Sequence, residues 1–295
     1  MPRTLRFSTH REQLERAEEI LWALGAHAVT LCDGGGEPLL EPGPGETPLW
    51  RQAEVEALLP DELDADPVLR ALAEQGIAAE PGEAELADVP ERDWERAWMD
   101  RFEPMRFGES IWICPWHVDP DPAWPVVVRL DPGLAFGTGT HATTALCLEW
   151  LDAHDLAGRR VIDFGCGSGV LAIAAALKGA SRVLAVDHDP QALDATRENA
   201  ERNGVAGRIE TLLPEAGGVP TGDVVLANIL AGPLIELAPA LTQRVRPDGR
   251  LVLSGILSAQ ADAVEAAYLP RMTPTGRDER EGWVRLDFRK PTSRG

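Results

Sequence analysis

The sequence predicts an α/β protein in which a doubly wound, seven-stranded Rossmann-like domain follows a small α+β domain of ferredoxin-like pattern. Three observations lead to this prediction. From residue 160 onward, short apolar strands alternate with helices, which is typical of a parallel sheet covered on both faces. The Gly-rich turn Asp163–Gly169 joins the first of these strands to a helix. The first hundred residues carry strands and helices in the order βαββαβ.

The N-terminal elements follow from the spacing of apolar residues. Arg3–Ser8 alternates between polar and apolar residues, as a half-buried strand does. In Glu12–Leu24 the apolar residues recur at helical spacing and Gly25 follows, so a helix is predicted there. Further strands are predicted at 28–32, 50–58 and 77–86, and a helix at 67–75. A connecting helix at 90–102 and strands at 111–114 and 126–130 complete this part.

In the C-terminal part each predicted strand is a short apolar run, such as Val183–Val186, and turn signals separate it from the next helix. The helix Ala192–Asn203 is followed by Gly204, a residue type that commonly ends helices. No helix separates the last two strands, so we expect a closing hairpin that brings one antiparallel strand into the sheet. The strands are predicted at 161–164, 183–186, 209–213, 224–227, 251–254, 271–275 and 283–289, and the helices at 170–178, 192–203, 234–245 and 259–268.

The charge of the chain restricts its partners. The 295 residues carry a net charge of -20, and positions 33–103 alone hold 20 acidic and 5 basic residues. Such a segment repels a phosphate backbone, so direct binding of nucleic acid is not expected. A basic protein would be attracted to the same segment.

The spacing of the cysteines and histidines argues against disulfide bonds and metal-binding sites. Cys32, Cys114, Cys147 and Cys166 are scattered without CxxC spacing, and the histidines show no ligand spacing. The apolar runs are too short to cross a membrane, and no secretory signal is found near the first residues. We therefore expect a cytoplasmic protein with reduced thiols, no metal and no membrane association.

The turn Asp163–Gly169 is the first candidate ligand site. In a doubly wound sheet, ligands bind beyond the carboxyl ends of the strands. Glycines let the backbone approach a ligand closely, and N–H groups at the start of a helix attract a carboxylate. Positions 167–172 also fit the dinucleotide pattern GxGxxA, although the Gly-x-Gly-x-Gly series suits a smaller ligand whose ammonium group Asp163 can meet. A tight turn without a ligand is the structural alternative.

Two acidic residues after the next predicted strand are assigned different roles. Asp187 stands where an acid accepts hydrogen bonds from ribose hydroxyls, a contact that an adenosyl ligand and NAD both require. Asp189 precedes Pro190 and a helix, as an N-cap residue does. Asp187 is therefore predicted to bind the ligand, and Asp189 to stabilise the helix.

Asn228 ends the fourth predicted strand, in the segment ANILAGPL. Its amide oxygen and the carbonyl of Ile229 can together accept hydrogen bonds from an amine and orient the nitrogen lone pair. The alternative is that Asn228 caps the following helix, since asparagine is a favoured capping residue.

A Gly-rich segment, 131–144, precedes the first strand of the larger domain and can fold over a ligand as a lid. Thr144 can offer its hydroxyl from the first turn of the helix that follows. His141 is a weaker candidate for a general base, because the positive end of a helix disfavours a charged ring but leaves a neutral one usable.

These motifs together resemble the PrmA family of ribosomal protein L11 methyltransferases. The resemblance extends over about residues 37–289. It has one departure, Ala142, because the family pattern has proline after the histidine. This departure puts the expected stiffness of the lid in doubt, not the family. The segments that carry it are EPGPGETPLW, DWERAWMDRFEPMRFGESIWICPW, DPGLAFGTGTHATT, VIDFGCGSGVLAIAA, VDHDPQALDATRENAERNG and ANILAGPL.

The resemblance implies three regions: a ferredoxin-like substrate-recognition domain at 1–89, a helical linker at 90–124 and a class I methyltransferase domain at 125–295. It implies S-adenosylmethionine as methyl donor, S-adenosylhomocysteine as product and no metal. The methyl acceptors would be lysine ε-amines and the N-terminal α-amine of ribosomal protein L11, a basic protein of the large subunit. Asn228 would be the catalytic residue, and the cofactor contacts would lie at Thr144, Gly165, Gly167, Asp187 and Asn228.

Three alternatives remain at this point. An NAD-dependent dehydrogenase shares the fold and Asp187 but leaves the Asn228 segment and the Gly-rich lid unexplained. A methyltransferase that acts on RNA needs a basic face, which the charge balance opposes. A non-catalytic assembly factor would keep the fold but would not need intact cofactor residues.

Overall fold

The computed structural model describes residues 3–35, 50–60, 65–77, 84–88, 103–131, 141–214 and 218–292. The chain divides into two compact units, Met1–Trp94 and Glu95–Gly295. The helix predicted at 90–102 and most of the predicted lid lie outside the described residues. The domain and linker bounds given above therefore remain predictions.

The N-terminal unit has an α+β fold with the element order βαββαβ. Its elements are β1 (Arg3–His10), α1 (Arg11–Ala23), β2 (Ala28–Asp33), β3 (Gln52–Leu59), α2 (Ala65–Glu74) and β4 (Ala84–Asp88). The sheet order is β2-β3-β1-β4, and every neighbouring pair is antiparallel. This is the ferredoxin-like arrangement, so the prediction for this unit is confirmed.

The core of the N-terminal unit follows the period-2 pattern of its strands. Leu5 and Phe7 of β1 are buried, as are Val55, Ala57 and Leu59 of β3, while the residues that alternate with them are partly or fully exposed. The helices contribute apolar residues at helical spacing to the same cluster, namely Leu14, Ala17 and Leu21 of α1 and Val68 and Leu72 of α2. One face of the sheet is therefore covered by both helices.

The C-terminal unit contains ten strands and six α-helices within its described residues. The strands are β5 (Met105–Phe107), β6 (Ile111–Cys114), β7 (Val126–Arg129), β8 (Arg160–Phe164), β9 (Arg182–Val186), β10 (Ile209–Leu212), β11 (Gly222–Asn228), β12 (Val245–Leu257), β13 (Thr273–Arg280) and β14 (Trp283–Arg289). The helices are α3 (Ala142–Ala153), α4 (Val170–Leu177), α5 (Pro190–Arg202), α6 (Ala231–Glu236), α7 (Ala238–Arg244) and α8 (Ala261–Tyr268). Of these helices, none is long and apolar enough to span a membrane.

Seven of these strands form one sheet in the order β10-β9-β8-β11-β12-β14-β13. All neighbouring pairs are parallel except the two that involve β14. The predicted doubly wound sheet and its one antiparallel strand are thus confirmed. The chain runs outward from β8 to β10 and then returns to place β11 on the other side of β8. The crevice beyond β8 and β11 is therefore the topological switch point, where ligands bind in this class of fold.

The large sheet is buried on both faces. Neighbouring residues of one strand belong to two different apolar clusters: Val161 and Leu226 lie in one cluster, and Ile162 and Val225 lie in the other. The first cluster includes residues of α3, α4 and α5, and the second includes residues of α6, α7 and α8. Burial on both faces explains why these strands are continuous apolar runs in the sequence.

Several element predictions need correction, and the strand predicted at 271–275 is among them, since β13 spans Thr273–Arg280. The single helix predicted at 234–245 is two helices, α6 and α7, with Leu237 between them. Pro239 explains the break, because proline has no N–H to donate and is favoured in the first turn of a new helix. Strand β12 is longer than predicted, and β5 was not predicted at all. Strands β5, β6 and β7 form a separate small sheet.

Candidate functional site

The Gly-rich turn follows β8 directly and lies at the switch point. Its glycines adopt positive φ angles, 78° at Gly165, 53° at Gly167 and 80° at Gly169. The N–H of Gly165 donates to the carbonyl of Val186 at 2.7 Å, which ties the turn to the end of β9. A Cβ at Gly165 would lie 2.3 Å from Cγ2 of Ile229, so only glycine fits between β8 and the segment after β11.

Asp163 is the last but one residue of β8, and its side chain is buried beneath the turn. Its Oδ2 accepts a hydrogen bond from the N–H of Ala172 at 3.1 Å. Ala172 lies in the first turn of α4, whose N-cap residue, Gly169, has no side chain to offer. Asp163 therefore caps this helix from the neighbouring strand. Its other oxygen, Oδ1, is buried and has no hydrogen-bond partner among the described residues.

Burial raises the pKa of Asp163 to about 7. The hydrogen bond from Ala172 lowers the pKa, while the nearby charge of Asp187 raises it. An unpaired buried carboxylate is costly, and a cation beside it offsets that cost. The free oxygen of Asp163 thus marks a place that favours a positively charged ligand group.

Asp187 follows β9 and connects the turn to the next loop. Its Oδ2 accepts from the N–H of Gly167 at 2.9 Å, and its Oδ1 accepts from the N–H of Asp189 at 3.0 Å. Asp189 in turn accepts from the N–H of Gln191 at 2.9 Å, so its predicted role as N-cap of α5 is confirmed. Asp187 lies at the strand end where ribose recognition is expected, and it also orders the Gly-rich turn. Its Oδ2 retains a lone pair for a ligand, whereas its Oδ1 also lies 3.4 Å from Nδ1 of His188.

S-Adenosylmethionine fits these residues by its charge. Its ammonium and sulfonium groups are both positive, and two carboxylates, of Asp163 and Asp187, lie at the ends of adjacent strands. The pyrophosphate of NAD would instead bring negative charge toward Asp163, which has no positive partner among the described residues, whereas Asp187 suits the ribose of either ligand. The electrostatics of the crevice therefore favour the adenosyl alternative over the dinucleotide.

Asn228 ends β11 and contacts the helix that carries Thr144. Its Nδ2 donates to Oγ1 of Thr144 at 3.3 Å, and Thr144 is buried. This bond leaves the amide oxygen of Asn228 as an acceptor. The alternative capping role is excluded, because the N-cap of α6 is Leu230 and no side chain caps that helix. The structure thus brings Thr144 and Asn228 together, although they are 84 positions apart.

Ile229 is enclosed between two glycines of the same crevice. Its side chain lies against Gly165, and its carbonyl lies against Gly255 of β12, where a Cβ would be 2.3 Å from the carbonyl oxygen. Gly255 has a φ of 86° and lies where the pairing of β12 with β14 shifts register. This bulge brings the backbone of β12 against the segment that follows Asn228.

His141 acts as the N-cap of α3. Its Nδ1 accepts from the N–H of Thr143 at 3.4 Å and lies 2.8 Å from the hydroxyl of Thr143. The ring also packs edge-on against Trp283, with the ring centres 4.9 Å apart. Both contacts engage Nδ1, so this ring nitrogen is used at the start of α3.

Two residues that contact the Gly-rich turn were not predicted from the sequence. Thr196 and Asn199 of α5 donate to the carbonyls of Gly167 and Ser168. The sequence does hold a sign that Thr196 is buried, because this residue falls on the same face of the helix as the buried residues Leu193 and Ala200. Within the described residues no cluster of three or more metal-ligating side chains occurs.

Comparison with known proteins gives one consistent result. Residues 2–291 match the family model described as ribosomal protein L11 methyltransferase (PrmA). The chain is 50% identical over 288 residues to the ribosomal protein L11 methyltransferase of Pseudomonas aeruginosa strain LESB58, covering 97% of each chain. It is 50% identical over 285 residues to the enzyme of the same name from Azotobacter vinelandii, covering 96% of this chain and 97% of the relative.

A solved structure is similar to the larger part of the chain. The crystal structure of ribosomal protein L11 methylase from Lactobacillus delbrueckii subsp. bulgaricus aligns with a TM-score of 0.59 and 32% identity. The alignment covers 64% of this chain and all of that one.

Proposed function

Because the chain belongs to the ribosomal protein L11 methyltransferase (PrmA) family, we propose that it transfers methyl groups from S-adenosylmethionine to amines of ribosomal protein L11. The family and the enzyme class predicted from the motifs, a protein methyltransferase, are confirmed by this membership. The acceptors in this proposal are lysine ε-amines and the N-terminal α-amine, and the product is S-adenosylhomocysteine. The observation that supports this proposal most directly is the hydrogen bond from the Asn228 amide to Thr144, which holds that amide at the strand end beside the Gly-rich turn.

The proposed cofactor contacts are spread over three strand ends and one helix. Gly165 and Gly167 form the floor of the turn, Asp163 meets the ammonium group, and Asp187 meets the ribose. Thr144 approaches from α3 through its bond to Asn228. When bound, the sulfonium supplies a methyl group that is activated for transfer.

The chain's own residues must deliver a neutral amine to that methyl group. The unperturbed pKa of lysine is near 10.4, so most of it is charged and unreactive at neutral pH. Withdrawal from water lowers an amine's pKa, and the oxygens of Asn228 and Ile229 then orient the nitrogen. Positioning of this kind accelerates a displacement without a strong base. The proposal therefore assigns no base role to His141, whose side chain caps α3.

The proposed partner is basic, and the acidic part of the chain supports this choice. The 20 acidic and 5 basic residues of 33–103 attract a positively charged protein and disfavour nucleic acid. In this proposal residues 1–89 recognise the ribosomal protein, 90–124 link the domains, and 125–295 perform the transfer in the cytoplasm.

One assay tests the proposed function. The protein is incubated with isotope-labelled S-adenosylmethionine and unmethylated large-subunit proteins, and the label is mapped by mass spectrometry. We expect label on lysines and the N-terminus of ribosomal protein L11. Label that appears only on ribosomal RNA, or on no ribosomal component, contradicts the proposal.

A further inference from the structure

We propose that Thr196 and Asn199 are positioning residues for the cofactor, because they hold the carbonyl groups of the Gly-rich turn in one orientation. This inference rests on the proposed function and adds residues of α5 to it. Neither side chain needs to touch the ligand. Their effect reaches it through the backbone of Gly167 and Ser168.

Two hydrogen bonds form this clamp. The hydroxyl of Thr196 donates to the carbonyl of Gly167 at 3.0 Å, and Nδ2 of Asn199 donates to the carbonyl of Ser168 at 2.9 Å. The two donors are three positions apart on α5 and so lie on one face of the helix. They contact two consecutive carbonyls of the turn.

Gly167 is held from two directions. Its carbonyl is bound by Thr196, and its N–H is bound by Asp187 at 2.9 Å. The N–H of Gly169 donates to the carbonyl of Cys166 at 2.8 Å, which closes the turn internally. A peptide group is planar and trans, so fixing the Gly167 carbonyl also fixes the Ser168 N–H, which points away from α5.

Helix α5 packs closely against the Gly-rich turn at Thr196, a polar residue in a buried position. Thr196 is completely buried, and a Cβ at Gly169 would lie 2.8 Å from its hydroxyl oxygen. A buried hydroxyl without a partner is costly, so the contacts of Thr196 with the Gly167 carbonyl and with Sγ of Cys166, 3.4 Å away, contribute to stability as well as to orientation. The experiment must therefore separate a loss of stability from a loss of positioning.

Thr242 of α7 supplies a matched control. It is also buried, with 2% of its surface exposed, and its hydroxyl donates to the carbonyl of Ala238 at 2.8 Å. The variants T196V and T242V each replace a buried hydroxyl by a methyl group of similar size. Only the first removes a bond to the Gly-rich turn.

The full-length variants are compared by urea unfolding and by calorimetric titration with S-adenosylhomocysteine. We expect T196V and T242V to lose comparable stability, but only T196V to bind S-adenosylhomocysteine about tenfold more weakly, the factor that loss of one such hydrogen bond gives. T196S should restore the affinity, since it returns the hydroxyl. N199A, at a partly exposed helical position where alanine is well tolerated, should also weaken binding and provides a second test if T196V does not fold.

Equal affinity of T196V, N199A and T242V for S-adenosylhomocysteine would overturn the clamp while leaving the proposed function intact. Absence of binding by the unaltered protein would overturn the proposed function, and the clamp with it.

Discussion

Replacing Asp163 by asparagine should stabilise the cofactor-free protein at alkaline pH and weaken cofactor binding. Burial raises the pKa of this carboxyl to about 7, from an ordinary value of 3.8. Between these two values the folded protein retains a proton that the unfolded chain has lost. The free energy of unfolding therefore falls as the pH rises through this window, and the loss is complete above pH 7.

The structure sets the size of this effect. Raising this pKa from 3.8 to about 7, at about 1.4 kcal/mol for each tenfold change in proton affinity, lowers the free energy of unfolding by about 4 kcal/mol at pH 8. Much of this loss develops above pH 5. Between pH 5 and pH 8, the free energy of unfolding of the variant should therefore rise by about 2 to 3 kcal/mol relative to that of the unaltered protein. Asparagine cannot ionise, and its oxygen can still accept the bond from Ala172.

Urea unfolding of both proteins at pH 5 and pH 8, without cofactor, measures the stability difference. Any cost of burying the asparagine amide is the same at both pH values and so cancels. Calorimetry at pH 8 should show S-adenosylmethionine bound about 10- to 100-fold more weakly by D163N, because a charged hydrogen bond to the ammonium is lost. A stability difference that does not change between pH 5 and pH 8 would refute the reasoning about the buried carboxylate.

Three further predictions concern the acceptor side of the crevice and the recognition domain. Asn228→Ala should reduce turnover at saturating ribosomal protein at least 100-fold, as expected for loss of an orienting group, and unchanged turnover in the labelled-methyl assay would exclude this role. Gly255→Ala should displace the carbonyl of Ile229 and lower kcat more than cofactor affinity. Gly204→Ala controls for backbone strain, since Gly204 also has a positive φ but a Cβ there would meet nothing within 4 Å. Equal kcat values of the two variants would contradict the prediction. Deletion of residues 1–90 should spare binding of S-adenosylhomocysteine in calorimetry but abolish methylation of the ribosomal protein, and a truncated enzyme with full activity would show that this domain is not needed for recognition.

The fold could be predicted where local pattern and burial agree. Strand β14 was predicted with its observed bounds, since it is an antiparallel strand whose central residues are all buried. Strand β13 was placed too early, at 271–275, because the residues of this edge strand, TPTGRDER, are all exposed and show no apolar alternation. Strand β12 was predicted too short, since its first residues, Val245–Arg250, contain a proline and an Asp-Gly pair that read as a turn.

The site could be predicted where its residues fall at strand ends. Gly165, Asp187 and Asn228 could be proposed as site residues because the carboxyl ends of β8, β9 and β11 are known places for ligands in such sheets. The bond between Asn228 and Thr144 was not predicted, since it joins residues 84 positions apart. The hydrogen bonds of Thr196 and Asn199 to the turn could not be predicted, because polar residues on a helix usually face solvent. Only the tertiary packing of α5 turns them toward the Gly-rich turn.

The packing of Ile229 links the two halves of the proposed reaction. Its side chain is pressed against Gly165 of the cofactor turn, and its carbonyl, one of the two proposed amine acceptors, is pressed against Gly255. A shift of the turn would therefore move the residue that orients the amine, and a shift of β12 would move it as well. No side chain larger than hydrogen fits at either glycine without displacing Ile229, so in the proposed reaction these contacts would align the methyl donor with the amine. In the proposed reaction, rigid placement of the oxygens of Asn228 and Ile229 would replace proton abstraction by a strong general base.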